Sequence, residues 1–504
     1  MNPASSPRPA SLVLRHERKI VGLLCLAAAA RVFIFSAAFP FFSNVDEHLH
    51  FDLVMRYSHG QPPRGYDLLT KESLATIALY ASPEFLLPPA YFPEGKIPTP
   101  LWKQSGAEAG PVLRATEDIW KKEINFESSQ PPLYYAIAAL WLRTGQQIGL
   151  TGARLLYWIR FLNIPLSAAL IWLGFVTSRT LFPDRPSLRL GVPMLLAFIP
   201  QDIFYLIQND ALSPICFGAV FICLTRWLRG DSASIWLGAL TGLSIAAAYL
   251  TKLTNLPMLS VAFIGVITLG HRFRPEPLRR QIATLGTMFL CAAVPIGLWM
   301  IWSKHVFGDI TGSATKIALL GWGRKPLPEW WHHPIFSLTG FWGFLSEVIA
   351  GFWRGEISWA HEILHSQTAD LFFVDSSLLF VIAALAGARR DTGLQSFQSK
   401  ALHCAALMLF VSVGFLVLLT VQFDFGNSPN PSPAFPYLAS GRLLSGALIP
   451  FAVLYVYGLE RLLRRLHGER LLLLVLAIML ALVTTSEVIV NRVAFSSEHN
   501  WFHL

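Results

Sequence analysis

Charge is scarce in this sequence. Asp, Glu, Lys and Arg together make up 14% of the 504 residues, against about 25% in an ordinary water-soluble domain. Hydrophobic residues make up 53%, and the mean hydropathy is +0.48. A soluble globular fold is excluded, and the solvent of this chain is lipid. Cysteine is scarce as well: Cys25, Cys216, Cys223, Cys291 and Cys404 all fall inside apolar runs, with no CxxC spacing among them. That excludes a readable disulfide framework and a zinc-ribbon type of metal site, and leaves the thiols as apolar filler. The net charge of +9 points to no nucleic acid, because such binding needs basic residues gathered on one exposed face. Here they are scattered between apolar runs. Internal repeats, low-complexity tracts and soluble-domain boundaries are lacking too, so 1–504 reads as a single membrane domain.

Long apolar runs are what the chain has in abundance. A bilayer-spanning helix needs roughly 20 apolar residues, and lipid tolerates no unpaired backbone. The runs are 20–42, 157–177, 190–206, 212–228, 235–250, 255–270, 282–303, 371–388, 401–422, 443–458 and 471–490. They predict an all-α, polytopic transmembrane helical bundle of about eleven spans, with twelve or thirteen left open. The first run follows Arg15, Arg18 and Lys19 and is too long for a cleaved signal core, so it reads as a signal anchor. Lys and Arg concentrate before it and in the connectors 179–189, 226–229, 271–280, 389–400 and 461–470. These connectors alternate, so they mark the cytoplasmic face, with the N-terminus on that side and the localisation a bacterial inner membrane. Two long loops, 43–153 and 304–370, then lie outside the cytoplasm, the first carrying interfacial helices. Segment 131–150 is ambiguous. Making it a span would invert every later basic loop, so an interfacial helix is preferred. The stretch 427–436 reads as an outer loop of turn character.

Chemistry-bearing residues cluster on that outer face. Directly after the first run come Asn44, Val45, Asp46, Glu47, His48, Leu49, His50, Phe51 and Asp52, a costly density of polar groups at a membrane exit. On a helix, Asp46 and His50 are i,i+4 neighbours and Glu47 and His50 are i,i+3 neighbours. That face suits a general base or a divalent cation, and a solvated helix cap is the plainer reading. Paired prolines at 131 and 132 aim Glu127 and Gln130 at the outer interface, ahead of Tyr134 and Tyr135; an ordinary aromatic belt would look the same. Gln208, Asn209 and Asp210 end the third run, with Asp210 either a helix cap or a carboxylate facing the cavity of Asp46. Lys252 and Arg442 are cations at span ends, where the inside rule would not place them. They suit a lipid phosphate, with snorkelling to headgroups as the alternative. Arg31 lies mid-span and needs a partner. The loop 304–370 adds Lys316, Arg324, His332, His333, Arg354, His361 and His365. Its tryptophans, Trp322, Trp330, Trp331, Trp342, Trp353 and Trp359, suit either the interface or a surface for stacking sugar rings.

In that order, these motifs resemble the GT-C superfamily of integral membrane glycosyltransferases. The likeness is to the protein O-mannosyltransferase and aminoarabinose transferase branch and related uncharacterised bacterial membrane proteins. It rests on Asp46, Glu47, His50 and Phe51, on Gln130 to Tyr135, on Asn209 to Leu212, on Lys252 beside Thr251, and on Gly441 with Arg442. The resemblance implies transfer of a sugar from a polyprenyl-phosphate donor to a glycan, lipid or protein acceptor outside the cytoplasm, in cell-envelope polysaccharide synthesis. It implies Asp46, with Glu47 and His50, in the catalytic role. Glu127, Gln130, Tyr134, Asn209, Asp210, Lys252 and Arg442 would bind substrate. A magnesium or manganese ion at Asp46, His50 and Asp210 stays an open alternative. The sequence departs from the better-studied branches in carrying no soluble C-terminal domain, which leaves the acceptor open. A secondary transporter and a non-catalytic membrane factor of envelope glycan assembly are the competing classes; transporters, however, place polar groups near the midplane of repeated halves.

Overall fold

The computed structural model describes residues 10–43, 45–231, 234–270, 277–426, 431–432 and 434–504. Asn44, residues 271–276 of the basic connector, and residues 427–430 and 433 of the Pro/Ser/Asn loop lie outside the described residues. The fold is all-α. Helix α1 (Ala10–Ala38) leads into a long connection carrying α2 (Glu47–Ser58), α3 (Lys71–Tyr80), α4 (Gly106–Trp120) and α5 (Leu133–Gln147). Next come α6 (Gly152–Arg160), α7 (Asn163–Leu181), α8 (Pro186–Phe198), α9 (Ser213–Arg229), α10 (Ile235–Thr251), α11 (Leu256–Gly270) and α12 (Leu278–Phe307). A second long connection carries α13 (Ser313–Leu319), α14 (Leu327–Trp330) and α15 (Leu338–Arg354). The chain closes with α16 (Gln367–Arg390), α17 (Ser396–Gln422), α18 (Leu448–Arg465), α19 (Leu472–Val490) and α20 (Arg492–Phe495). The described strands are two-residue pieces: β1 (Gly323–Arg324) pairs with β4 (Phe423–Asp424) and β2 (Ser358–Trp359) with β3 (Glu362–Ile363), both antiparallel.

Among the described residues, eight helical stretches are long and apolar enough to cross a bilayer, and three shorter apolar helices, α8, α10 and α11, accompany them. These eleven coincide with the eleven apolar runs, and the chain is a polytopic membrane protein. Helix ends differ from the runs where proline intervenes. The 20–42 run stops as helix at Ala38, ahead of Pro40, and the 190–206 run stops at Phe198, ahead of Pro200. Proline drives the residue before it out of the α region, and Ile199 is extended. Residues 199–208 therefore form an irregular segment rather than a last helical turn. The 443–458 run enters through a 3-10 turn, Gly441–Ala447. Segment 131–150 forms the 15-residue α5, about 22 Å long and short of the roughly 30 Å hydrocarbon core. It packs on α2 and α6.

Lipid tails are as apolar as Leu, so helices in a membrane are held by close backbone approach and paired polar groups. Helix α18 is the hub, with 94% of its most apolar stretch buried against α8, α9, α16 and α17. Gly238 and Gly242, spaced four apart, let α10 lie on the backbone of α12. A Cβ at these positions would stand 2.2 Å from Thr284 O and 2.3 Å from Met288 O. Buried ion pairs tie distant spans. Arg31 finds its partner in Glu487 of α19 at 3.0 Å, and Arg189 of α8 binds Glu17 of α1 at 2.7 Å. At the end of α18 remote from Arg442, Asp391 is held by Arg185, Arg461 and Arg464. Gly242→Ile is expected to overpack the α10–α12 contact and cost about 1–3 kcal/mol. Gly286→Ile, on a face of α12 with nothing within 4 Å, should leave the thermal unfolding midpoint in detergent unchanged.

Candidate functional site

The site is built where the chain leaves α1. Asp46 adopts a left-handed conformation, φ 60°, at the head of α2, and its side chain makes no capping bond. Asp tolerates that region better than most residues, and the turn directs its carboxylate away from the helix it precedes. Across the site stands Arg442, in the 3-10 turn ahead of α18. Its Nη2 lies 3.5 Å from Asp46 Oδ2, its Nε lies 3.1 Å from Glu356 Oε2, and its Nη1 donates to Gln208 Oε1 at 3.3 Å. The residue before Arg442 has to be small: a Cβ on Gly441 would sit 2.1 Å from Phe352 N. That close contact brings the end of α15, and with it Glu356, to the guanidinium. Ser440 Oγ donates to both Glu356 oxygens, at 2.7 and 2.9 Å.

Beside this pair lies a second. Lys252 sits in the extended break between α10 and α11, and its Nζ is 2.5 Å from both oxygens of Asp210. Asn209 Nδ2 donates to Gln130 Oε1 and to Thr251 O, both at 3.1 Å. Gln130 Nε2 donates in turn to Glu127 Oε2 at 2.5 Å, and Glu127 accepts Lys316 Nζ at 2.7 Å. The motifs at 127–135, 208–212 and 251–252 thus form one connected polar network. Asp46, Glu127, Asp210 and Glu356 supply four carboxylates, and Arg442, Lys252 and Lys316 supply three cations.

The environment sorts these groups. Burial raises the Asp46 carboxyl above its usual value, against the pull of Arg442. Glu127 is buried as well, but the Lys316 ammonium outweighs that and holds it at about 2. Burial also lowers the Lys252 amine, with Asp210 opposing. His50, with Nδ1 2.8 Å from Tyr135 OH, is pushed down to about 3 by burial and stays neutral. Tyr134 is buried edge-on to Tyr135, near the Gln208 backbone.

Two expectations are placed differently. Glu47 does not face Asp46. Its carboxylate is fully buried and binds Arg160 in a fork, with both contacts 2.7 Å, while accepting Ser43 N and Ile207 N at 3.0 Å. Nor do Asp46, His50 and Asp210 converge as ligands: Asp210 spends both oxygens on Lys252, and His50 Nδ1 is on Tyr135. No grouping of three or more His, Cys, Asp or Glu side chains suited to a metal occurs among the described residues. The tryptophans disperse as well. Trp353 is buried flat on Phe373, Trp359 meets Phe85, Trp322 meets Phe425 and Trp331 is exposed. Sequence reasoning passed over Glu356, whose signal is the Arg354-Gly355-Glu356 turn. Gly355 has φ 86°, and a Cβ there would stand 1.8 Å from the Asp202 carboxylate. Asp202 Oδ2 accepts Glu356 N at 2.6 Å and Ile357 N at 2.9 Å.

A family model described as "Predicted membrane protein (DUF2142)" matches residues 31–427. The chain belongs to the DUF2142 family. Asp46, Glu127, Asp210, Lys252 and Glu356 of this DUF2142 member lie inside the matched residues, and Arg442 lies beyond them. No curated protein matches the chain. Among solved structures, the chain is similar to the archaeal oligosaccharyltransferase AglB from Archaeoglobus fulgidus, in complex with an inhibitory peptide and a dolichol-phosphate. The TM-score is 0.39 and the identity 11%, over 94% of this chain and 56% of that one. The chain thus spans a little over half the length of that protein.

Asp202 gives a pH signature. Burial pushes its carboxyl from 3.8 up to about 7, so the folded chain keeps a proton that the unfolded chain releases. The linked stability is fully present below about pH 4 and is lost as pH rises towards 7, by at most about 1.4 kcal/mol per unit. Thermal melts across that window should show the slope in the native chain and lose it in Asp202→Asn, which keeps an acceptor for the two backbone amides.

Proposed function

We propose that this protein is a glycosyltransferase that moves a sugar from a polyprenyl-phosphate carrier to a glycan, lipid or protein acceptor. The reaction runs at the extracytoplasmic face of a bacterial inner membrane. The observation that carries the reading is the meeting of Asp46 with Arg442, beside the Lys252–Asp210 pair, at the ends of apolar helices. One carboxylate raised by burial thus lies next to two cations at the level where a lipid-borne phosphate would sit. The ordered motifs that resemble GT-C enzymes support the same reading, and the Lys- and Arg-rich connectors at the opposite ends of the helices support the orientation.

The chemistry follows from these groups. Asp46 accepts the proton of an acceptor hydroxyl as its oxygen attacks the anomeric carbon. The bond from that carbon to the phosphate oxygen breaks, its electron pair stays on the phosphate, and the anomeric configuration inverts. Arg442 and Lys252 offset the charge that grows on the departing phosphate, in a setting that excludes most water. A carboxyl raised above its usual range is a stronger base once ionised, which suits Asp46. Lys252 offers two N–H groups to Asp210 and keeps a third for the ligand. Arg442 holds Asp46 loosely enough to yield when a phosphate arrives. Glu127, Gln130 and Asn209 orient the acceptor or sugar hydroxyls through the network that links them.

The test is transfer from a radiolabelled polyprenyl-phosphate sugar in proteoliposomes. Asp46→Asn should lower the rate by about 10²–10⁴-fold at normal protein abundance. Arg442→Lys should lose much of the activity too, because a point charge cannot reproduce the fork. Movement of the labelled compound without formation of a glycosidic bond would overturn the enzyme reading in favour of a transporter. Mass spectrometry of envelope glycans with and without the protein would identify the sugar and the acceptor.

A further inference from the structure

Helices α8 and α19 lie side by side and meet at Gly191, where a Cβ would stand 3.6 Å from Leu476 Cδ2. From there towards the Asp46 end they part. Helix α8 stops at Phe198, ahead of Pro200, and the chain turns aside to bond Gln201 Nε2 to Phe352 O. Helix α19 runs on to Val490. A groove of about 550 Å³ opens between them, with Met194 and Phe198 on one wall and Ala477, Ala481, Val488 and Ile489 on the other. None of the lining residues carries a charge. Ala477 to Ile489 covers about 18 Å of helix, close to the depth of one leaflet of the roughly 30 Å hydrocarbon core.

The wall of the groove ends in a cation. Ala481, Thr485 and Val488 are exposed, and Arg492, also exposed, continues the same stripe at helical spacing. The helical path holds through the junction, because Asn491 N donates to Glu487 O at 3.0 Å and Ser496 N to Arg492 O at 3.3 Å. Arg31, Arg160, Arg189 and Arg442 each bind a carboxylate. The Arg492 guanidinium has no ion pair or hydrogen bond among the described residues. The acid one turn before it, Glu487, is taken by Arg31 at 3.0 Å. An unpaired arginine thus stands at the Asp46 end of the bundle, at the mouth of an uncharged groove one leaflet deep.

We propose that this groove seats one acyl chain of an anionic phospholipid, with the lipid phosphate bound by Arg492. The groove answers to the chain and the guanidinium to the phosphate. They follow one another along α19 in the order that a lipid presents them, hydrocarbon within the core and anion at its edge. Free phosphate would leave the groove unused. A zwitterionic headgroup carries its own cation and gains less from Arg492. The polyprenyl carrier of the proposed reaction has its phosphate partners in Arg442 and Lys252, neither of which lines the groove.

The probes are phosphatidylglycerol and phosphatidylcholine with identical acyl chains, mixed in nanodiscs, and the lipid retained on release is read by native mass spectrometry. Phosphatidylglycerol should be retained about fivefold better than phosphatidylcholine, the margin that one arginine near the membrane surface supplies. Arg492→Gln should bring the two lipids to parity. Ala481→Phe, which fills the groove from an exposed position, should abolish retention of both. Each change is made on the exposed surface, so the melting midpoint should stay native and each variant reports on binding by itself. Equal retention of the two lipids by the native chain, a native-like preference in Arg492→Gln, or native-like retention in Ala481→Phe would overturn the proposal. Displacement of the phospholipid by equimolar polyprenyl phosphate would overturn it too, by giving the groove to the donor. Binding is read without any transfer reaction, so this outcome and that of the glycosyltransferase assay are separable.

Discussion

A carboxylate with no exposed surface must find a partner or give up its charge, and the Glu47–Arg160 pair settles that demand at the point where the chain leaves its first span. The fork is bidentate, the geometry in which a guanidinium and a carboxylate bind best. Arg160 also donates to Ser36 O at 3.3 Å, to Pro40 O at 2.7 Å and to Phe39 O. It thereby takes up carbonyls that the end of α1 leaves without intrahelical donors. Glu47 in turn accepts Ile207 N from the irregular segment before α9. One pair therefore fastens the end of α1, the start of α2, the joint between α6 and α7, and residues 199–208. With Glu47 committed, its neighbour Asp46 can turn the opposite way and meet Arg442. Two adjacent acids, alike in sequence, are divided by this arrangement into one that holds the fold and one that faces the site.

The bundle was legible in the sequence because lipid imposes a length on every apolar run, and eleven runs gave eleven helices. The ends were less legible. A hydropathy pattern continues through Pro40 and Pro200, while the backbone does not. The motifs were legible as an ordered set, and their contacts were not. Asp210 and Lys252 stand 42 positions apart, and nothing local tells that each answers the other's charge. Glu356 was missed because its loop read as basic and aromatic. What singles it out is Gly441, whose missing side chain admits α15. Reading that from sequence would need the tertiary contact it serves.

The cations of the site are all paired before any substrate arrives. Arg442 has Glu356 and Asp46, Lys252 has Asp210, and Lys316 has Glu127. Such pairing keeps the charged forms stable in a poorly hydrated setting, where unpaired ammonium or guanidinium groups would be costly. It also fixes them in place, so on the proposed function the donors would need little reorganisation as phosphate charge develops. On the proposed function the consequence is competition: an entering phosphate would share cations with resident carboxylates. The pair least able to resist is Asp46 with Arg442, the longest of these contacts at 3.5 Å, and it joins the proposed base to a proposed phosphate-binding cation. Arrival of the phosphate at Arg442 would weaken the hold on Asp46 and free its carboxylate for the acceptor hydroxyl.

The same logic separates the acids by environment. Glu127 is held low by Lys316, so it stays ionised and suits fixed hydrogen bonds. Asp46 is raised by burial, which suits a group that must take a proton and later release it. Groups of one chemical type acquire different roles when their surroundings push their proton affinities apart. Here the separation depends on which cation stands nearest and how closely it stands. Lys316 lies 2.7 Å from Glu127, while Arg442 lies 3.5 Å from Asp46 and is shared with Glu356. Lys316 belongs to the second long connection, so the difference between the first-loop acids Asp46 and Glu127 is set by a residue far along the chain. The two loops thus work as a single unit over the ends of the spans.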